Sequence, residues 1–367
     1  MPPNVITVRE IEMQLRARCE SVVRDCLPNA QRDGHFLRVG SIAGERGQSL
    51  AVTVDGANKG LWTDFSASEG AREASGDMLH MVALTKFGGN LGEAVQWAKS
   101  WLGIDDLDPR RLATIRAEAA AIDAGAAERA GAEAEAKKRG ARSLWLNGVA
   151  LTGSCPASRY LEGRGIDVAK LGHWPNALRY HSEVWNRDAG IKLPCLVSQM
   201  ITPDGVHVAT HRTWLGRDPR GQWVKADGAD LGVPRGSAKK VLGKSGGAFV
   251  PLRKGASRKA MGAMIRTETI YITEGIEDAL TVAMIKPELR VVAAYSLRNL
   301  GVIEFPSRIE TIVVVCDRDE GNREIEALEQ AIARQQARGH HVQFVMPPLG
   351  VKDINAWLLQ DLGERAA

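Results

Sequence analysis

Three points in the C-terminal third place acidic side chains just past a run of branched, apolar residues. Glu274-Gly275 follows Thr269-Ile270-Tyr271-Ile272-Thr273, Asp317-Arg318-Asp319 follows the apolar run 309–316, and Lys352-Asp353-Ile354-Asn355 comes shortly after 341–345. Carboxylates gathered without basic partners repel one another, and a hard divalent cation relieves the repulsion by taking oxygen ligands; magnesium, held by a few carboxylates, waters and substrate phosphates, fits that description. Asp317 and Asp319 are alternate residues, so both reach one ion if the chain stays extended past its strand. Gly275 permits a tight strand-to-helix turn and the close approach of a phosphate. An acid at such a place also caps the following helix. Glu274 or Asp317 taken singly therefore has a structural reading, and the metal reading rests on all three strand ends converging.

Convergence needs a scaffold. Strand-like segments at 269–273, 290–294, 309–316 and 341–345 alternate with helical stretches at 277–286 and 322–338, a rhythm that predicts a parallel sheet with crossover helices. Such sheets keep their chemistry at the carboxyl ends of the strands. Upstream, 144–166 reads as helical with a glycine break, and 190–260 alternates short strand-like runs with Gly, Pro and Asp turns. Residues 151–260 carry 18 basic and 8 acidic side chains, whereas 261–367 carry 11 and 16. A basic surface beside an acidic one suits a binder of phosphate polymers with a metal site, and a solvated basic face accounts for the charge equally well.

The N-terminal part begins with helical spacing over 5–27, continues with strand-like runs at 35–39, 50–54 and 61–63, and closes with two helices, one opened by Gly76-Asp77 and one running from about 91 to 103. Residues 108–142 shift to alanine, glutamate and arginine, which predicts an exposed helical spacer. The divisions expected are 1–105, 106–143, 144–262 and 263–367: a multidomain chain of α/β and α+β parts, with a small N-terminal α+β module, a basic mixed α+β subdomain and a C-terminal parallel sheet flanked by helices. At 44% hydrophobic and 25% charged residues it is globular, and its apolar runs stop well short of the roughly 18 residues that span a membrane. Without a secretion signal at its start, a cytoplasmic location is expected. Five cysteines lie far apart with no Cys-x-x-Cys pair, which predicts free thiols and no structural zinc.

Taken together, Glu274-Gly275-Ile276-Glu277-Asp278-Ala279-Leu280, Asp317-Arg318-Asp319 and Gly350-Val351-Lys352-Asp353-Ile354-Asn355 resemble, in order and spacing, the Toprim domain shared by bacterial-type primases and topoisomerases. Tyr160-Leu161-Glu162-Gly163-Arg164-Gly165-Ile166 resembles the segment that opens the catalytic core of bacterial and phage primases, and His211-Arg212-Thr213-Trp214-Leu215, Lys225-Ala226, Lys239-Lys240-Val241-Leu242-Gly243 and Gly247-Ala248-Phe249-Val250-Pro251-Leu252 resemble the stretch preceding Toprim in phage and plasmid primase-like proteins. The N-terminal module is similar, more faintly, to the zinc-binding module of those primases, without its cysteines. After Asp319 this chain has Glu320-Gly321-Asn322 where the family has an Ala-Gly pair.

The resemblance implies a DNA-directed primase, a nucleotidyltransferase of a phage, plasmid or other mobile element that makes short primers on single-stranded DNA from nucleoside triphosphates, with Mg2+ or Mn2+, beside a separate replicative helicase. It implies Glu274 as metal ligand or general base, Asp317 and Asp319 as ligands of the metals on the incoming triphosphate, and Asp353 and Asn355 as completing that shell. Arg164, Arg212, Lys225, Lys239, Lys240, Lys244 and Lys352 become candidates for phosphate contacts. Lys352 reads equally as an ion-pair partner, and Arg164 as a helix cap. Arg212 and Trp214 point to one face of a strand, where an indole could stack on a base or pack in a core. Two other classes remain in view: a catalytically idle nucleic-acid-binding replication protein, and a Toprim nuclease. Leu242-Gly243-Lys244-Ser245 fails as a nucleotide-binding P-loop, since Ala238 stands where its first glycine belongs, and Trp97 and Trp101, four apart, read as core.

Overall fold

The computed structural model describes residues 6–56, 58–67, 74–104, 109–318 and 322–366. They form two compact units, Met1–Gly131 and Ala132–Ala367. In the first, α1 (Val8–Ala17) starts with a capping box between Thr7 and Glu10, and α2 (Cys19–Cys26) follows directly. Ile11, Leu15, Cys19, Val22 and Val23 supply the buried stripe that helical spacing predicts. An antiparallel meander comes next: β1 (Gln31–Asp33), β2 (Phe36–Val39), β3 (Leu50–Thr53), β4 (Trp62–Asp64) and β5 (Ser75–Gly76). Asp77 then accepts the His80 N–H to cap α3 (Met78–Phe87), and Asn90 caps α4 (Leu91–Leu102). Trp97 and Trp101 stack on each other with ring centres 5.7 Å apart, half-buried against this core. The helix α5 (Pro109–Asn147), 39 residues long, carries the chain into the second unit.

There the helical stretch expected over 144–166 is interrupted, as its glycine break predicts, but the break also holds a short strand. The helix α5 runs to Asn147, the short strand β6 (Val149–Ala150) follows, and α6 (Pro156–Gly163) restarts at a proline whose fixed φ suits a first helical position. After α7 (Val168–Leu171) come β7 (Leu178–Asn186), β8 (Ile191–Ile201), β9 (His207–Arg217), β10 (Trp223–Lys225) and β11 (Lys239–Gly243). They form an antiparallel sheet in the order β10-β9-β8-β7-β6, with β11 also paired to β9.

A third sheet carries the acidic segments. It is built from β12 (Val250–Lys254), β13 (Glu268–Thr273), α8 (Ile276–Ile285), β14 (Arg290–Ala293), α9 (Leu297–Leu300), β15 (Ile309–Val315), α10 (Asn322–Ala337), β16 (His341–Val345) and α11 (Ile354–Ala366), with strand order β12-β14-β13-β15-β16. The pairs β13/β14, β13/β15 and β15/β16 are parallel, and β12 is an antiparallel edge. Ile270, Ile272 and Val292 enter one core with Ala331 of α10, while Val291 and Ala293 face the other with Ala279 and Ala283 of α8. Covering both faces is why these strands read as nearly unbroken branched runs. The fold is therefore mixed α+β with a parallel C-terminal sheet flanked by helices, and no helix among the described residues is long and apolar enough to cross a membrane.

Candidate active site at the sheet switch point

From β13 the chain crosses through α8 to β14 on one side and then passes to β15 on the other, so strand order reverses between β13 and β15. In open α/β sheets ligands bind outside the carboxyl ends of the strands at that reversal. Glu274 follows β13 immediately, and Asp317 stands two residues past the end of β15. Both line one small cavity of about 40 Å3, together with Thr273, Cys316 and Met346, a space that suits a water molecule or an ion.

A further acid joins them that carried no role in the sequence reading. Asp278, on the first turn of α8, is 8% exposed. Burial, followed by the negative charges of Asp317 and Asp353, pushes its carboxyl up to about 7. The three carboxyls thus share one electrostatic neighbourhood, at the carboxyl ends of the strands. Asp353 also caps α11, its Oδ1 accepting the Ala356 N–H at 2.6 Å, so the capping and clustering readings hold together at this residue. The neighbouring acid behaves oppositely. Burial pushes Glu277 up, but Lys225 Nζ at 2.8 Å and the donated Tyr160 hydroxyl outweigh it and hold the carboxylate down at about 2. The signal for Asp278 lay in its position four residues after Glu274, one helical turn into the following helix.

Gly275 is required for space rather than for φ. A Cβ there would lie 2.5 Å from Asp278 Oδ2. Gly275→Ala is expected to displace the Asp278 carboxyl and to weaken manganese affinity by about tenfold, read by calorimetric titration, with little loss of fold because the clash is with a side-chain end. Unchanged affinity would show that Asp278 plays no part in ion binding.

The remaining expected residues divide into groups. Asn355 is fully buried; its side-chain amide donates to Arg164 O at 2.8 Å and Thr281 Oγ1 at 3.0 Å, and its N–H donates to Asp278 Oδ1 at 3.1 Å. It ties α6, α8 and α11 together, while its Oδ1 is buried without a hydrogen-bond partner. Arg164 ends α6 beside it, with its Nε buried and without a hydrogen-bond partner. Lys352 is exposed, and its carbonyl accepts the Arg318 N–H. Asp319 lies outside the described residues.

Among the basic candidates, Lys239 and Lys244 are exposed, whereas Lys225 is paired with Glu277 and Lys240 with Asp188. The guanidinium of Arg212 lies over the Trp214 ring, 4.9 Å from its centre. Trp214 is 1% exposed and donates its indole N–H to Val184 O at 2.9 Å. It packs in the core, so no base can stack on it. His211 is likewise enclosed: burial, then the charge of Lys239, pushes it down to about 3.

Among the described residues no three histidine, cysteine or acidic side chains form a ready metal cage. The donor set at the switch point is nonetheless all oxygen, and the raised Asp278 records like charges that a hard cation would relieve. Glu274, Asp278, Asp317 and Asp353 are the described residues that could hold it.

The Toprim domain family matches residues 269–364. A family described as a domain of unknown function (DUF7146) matches residues 135–252. No curated protein matches the chain. Among solved structures it is similar to the zinc-binding and RNA polymerase domains of the Aquifex aeolicus primase, at 14% identity over 97% of this chain and 83% of that one with a TM-score of 0.37. It is similar to the primase fragment of the bacteriophage T7 primase-helicase protein, at 17% identity over 57% and 71% with a TM-score of 0.34. The catalytic core of the E. coli primase gives 14% identity over 56% and 69%, again with a TM-score of 0.34. The chain carries a Toprim domain over residues 269–364.

Proposed function

We propose that this protein is a DNA-directed primase of a phage or other mobile element, joining nucleotides into short primers on single-stranded DNA by divalent-metal-dependent nucleotidyl transfer. Glu274 and Asp317 facing one cavity at the sheet switch point, within a segment matched by the Toprim family, is the observation that carries the reading. Residues 263–367 act as the catalytic domain, 144–262 as the basic subdomain that holds template and nucleotide, 106–143 as a helical linker, and 1–105 as an N-terminal module without zinc ligands.

Bound magnesium or manganese would neutralise the triphosphate and acidify the attacking 3′ hydroxyl. Glu274, placed by the end of β13, binds the ion or accepts the hydroxyl proton, and Asp317, Asp319 and Asp353 complete the acidic side of the site. Asn355 and Arg164, joined by a hydrogen bond, fix the start of α11 and so position Asp353. Lys239 and Lys244 offer charge to the template backbone, where phosphate contacts fix position rather than sequence. Cytoplasmic action beside a separate helicase belongs to the same reading.

Supplied with single-stranded DNA, nucleoside triphosphates and magnesium or manganese, the protein is expected to yield short labelled oligomers on a sequencing gel. No product on any of a set of defined templates would favour an idle nucleic-acid-binding protein, and shortening of the template would favour a nuclease. Charge reversal at Lys239 and Lys244 together is expected to lower single-strand affinity and to reduce its salt slope by about 0.7 for each phosphate that is no longer neutralised. An unaltered slope in anisotropy titrations would place the template elsewhere.

A further inference from the structure

At the other end of the same strands lies a larger opening. A cleft of about 810 Å3 is bounded by the amino end of β14, the end of β12 and the loop after it, and no aspartate or glutamate is among the residues lining it. Ile201, Pro203 and Pro251 give it apolar walls, and Arg253, Lys254 and Arg258 supply positive charge. Its volume falls in the range of small-molecule and cofactor sites.

The cations are set in place by built features. A bulge between Pro251 and Arg253 breaks the register of β12 against β14, and Arg253 lines the cleft beside the buried Leu252. The Arg253 Nη2 donates to Leu171 O, and its Nε is buried with no hydrogen-bond partner. The following loop is clamped on Arg290, itself 4% exposed, which bonds Glu268 Oε2 at 2.7 Å, Ser257 Oγ at 3.2 Å and Lys259 O at 3.0 Å. Gly255, at φ +70°, lies so close that an added Cβ would meet Arg290 Cβ at 3.1 Å. The clamped loop holds Arg258 at φ 55°, a left-handed conformation that a non-glycine residue rarely takes. Arg290 is neutralised by Glu268, so the charge facing the cleft comes from Arg253, Lys254 and Arg258.

We propose that this cleft binds a nucleotide, its phosphates on Arg253, Lys254 and Arg258 and its base against the walls formed by Ile201, Pro203 and Pro251. Three cations without a facing acid exceed what a single carboxylate would need, and guanidinium forks match phosphate oxygens. Flat apolar walls of this size suit a base rather than a bare ion. The same chemistry is offered by a free nucleoside triphosphate and by one nucleotide of a strand. The choice of a nucleotide rests on the function proposed above; the site itself is separate from the acidic edge.

The test uses the full chain in EDTA, so that the acidic edge makes no metal-bridged contact, with ATP followed by calorimetry and a labelled oligothymidylate followed by anisotropy. Arg258→Gly suits the left-handed backbone and removes a cation without strain, and Arg253→Ala is a second variant. At least a tenfold loss of ATP affinity in both variants would assign a free nucleotide, and the same loss confined to the oligothymidylate would assign a strand. Both readouts are binding in EDTA and not synthesis, so failure of the primase reading leaves this result standing. Both probes binding both variants within twofold of wild type would overturn the proposal.

Discussion

Asp317→Ala is expected to lower primer synthesis by about 10^2-fold to 10^3-fold, the loss typical when a group that stabilises transition-state charge is removed. Single-strand affinity should stay within about twofold of the wild type. The carboxylate stands just past β15, facing the cavity it shares with Glu274, and it is the largest of the charges that lift Asp278. Removing it deletes a candidate metal ligand without touching the exposed Lys239 or Lys244. The residue packs at a strand end rather than in a core, so the variant should unfold at the wild-type temperature. Initial rates on a gel, with and without added manganese, measure the effect. Synthesis at the wild-type rate would remove Asp317 from the chemistry.

The largest stability effect is expected at Lys225. Its ammonium is the partner that lets Glu277 remain ionised while only 7% exposed. Lys225→Met leaves that carboxylate buried without its counter-charge, a change that costs about 3 kcal/mol. The sign of the pH dependence follows from Glu277, which is held at about 2 in the folded chain against roughly 4.3 unfolded. A depressed carboxylate contributes stability that is present above the unfolded value and lost as pH falls towards 2. Without Lys225, burial raises Glu277 so that it takes up a proton at higher pH than in the wild type, and the variant's deficit should be greatest near neutrality and shrink as pH falls. Urea melts of both proteins across pH 3 to 7 measure it; a constant deficit would mean that the lysine acts through packing of its stem and not through its charge.

Much of this molecule was legible in its residues, for physical reasons that differ from place to place. The strands of the C-terminal sheet announced themselves because burial on both faces demands branched runs such as that of β15, and the acids just past them followed from where parallel sheets hold ligands. Asp77 marked a helix start through a local hydrogen bond, which a sequence shows directly. Long-range pairing was less visible. Lys225 and Glu277 are 52 residues apart and meet only in the folded chain, so a lysine that reads as a phosphate contact also pairs with a buried carboxylate. Lys240 and Asp188 pair across a similar gap. Trp214 shares a strand face with Arg212, as alternation required, but alternation does not say whether that face meets solvent or core. Asn355 read as a ligand, and its amide nitrogen also brackets Arg164 and Thr281, which come from distant parts of the chain. Asp278 went unassigned because its role depends on the charges of Asp317 and Asp353, which only the folded sheet brings near.

The proposed chemistry depends on the acids at the switch point taking up a divalent ion. Titration of the full chain with manganese, following the free ion by electron paramagnetic resonance, tests that directly. The wild type should show saturable binding that weakens at least tenfold in Glu274→Ala and in Asp317→Ala and is unaffected in Lys244→Ala. Equal manganese affinity in the wild type and both carboxylate variants would contradict it.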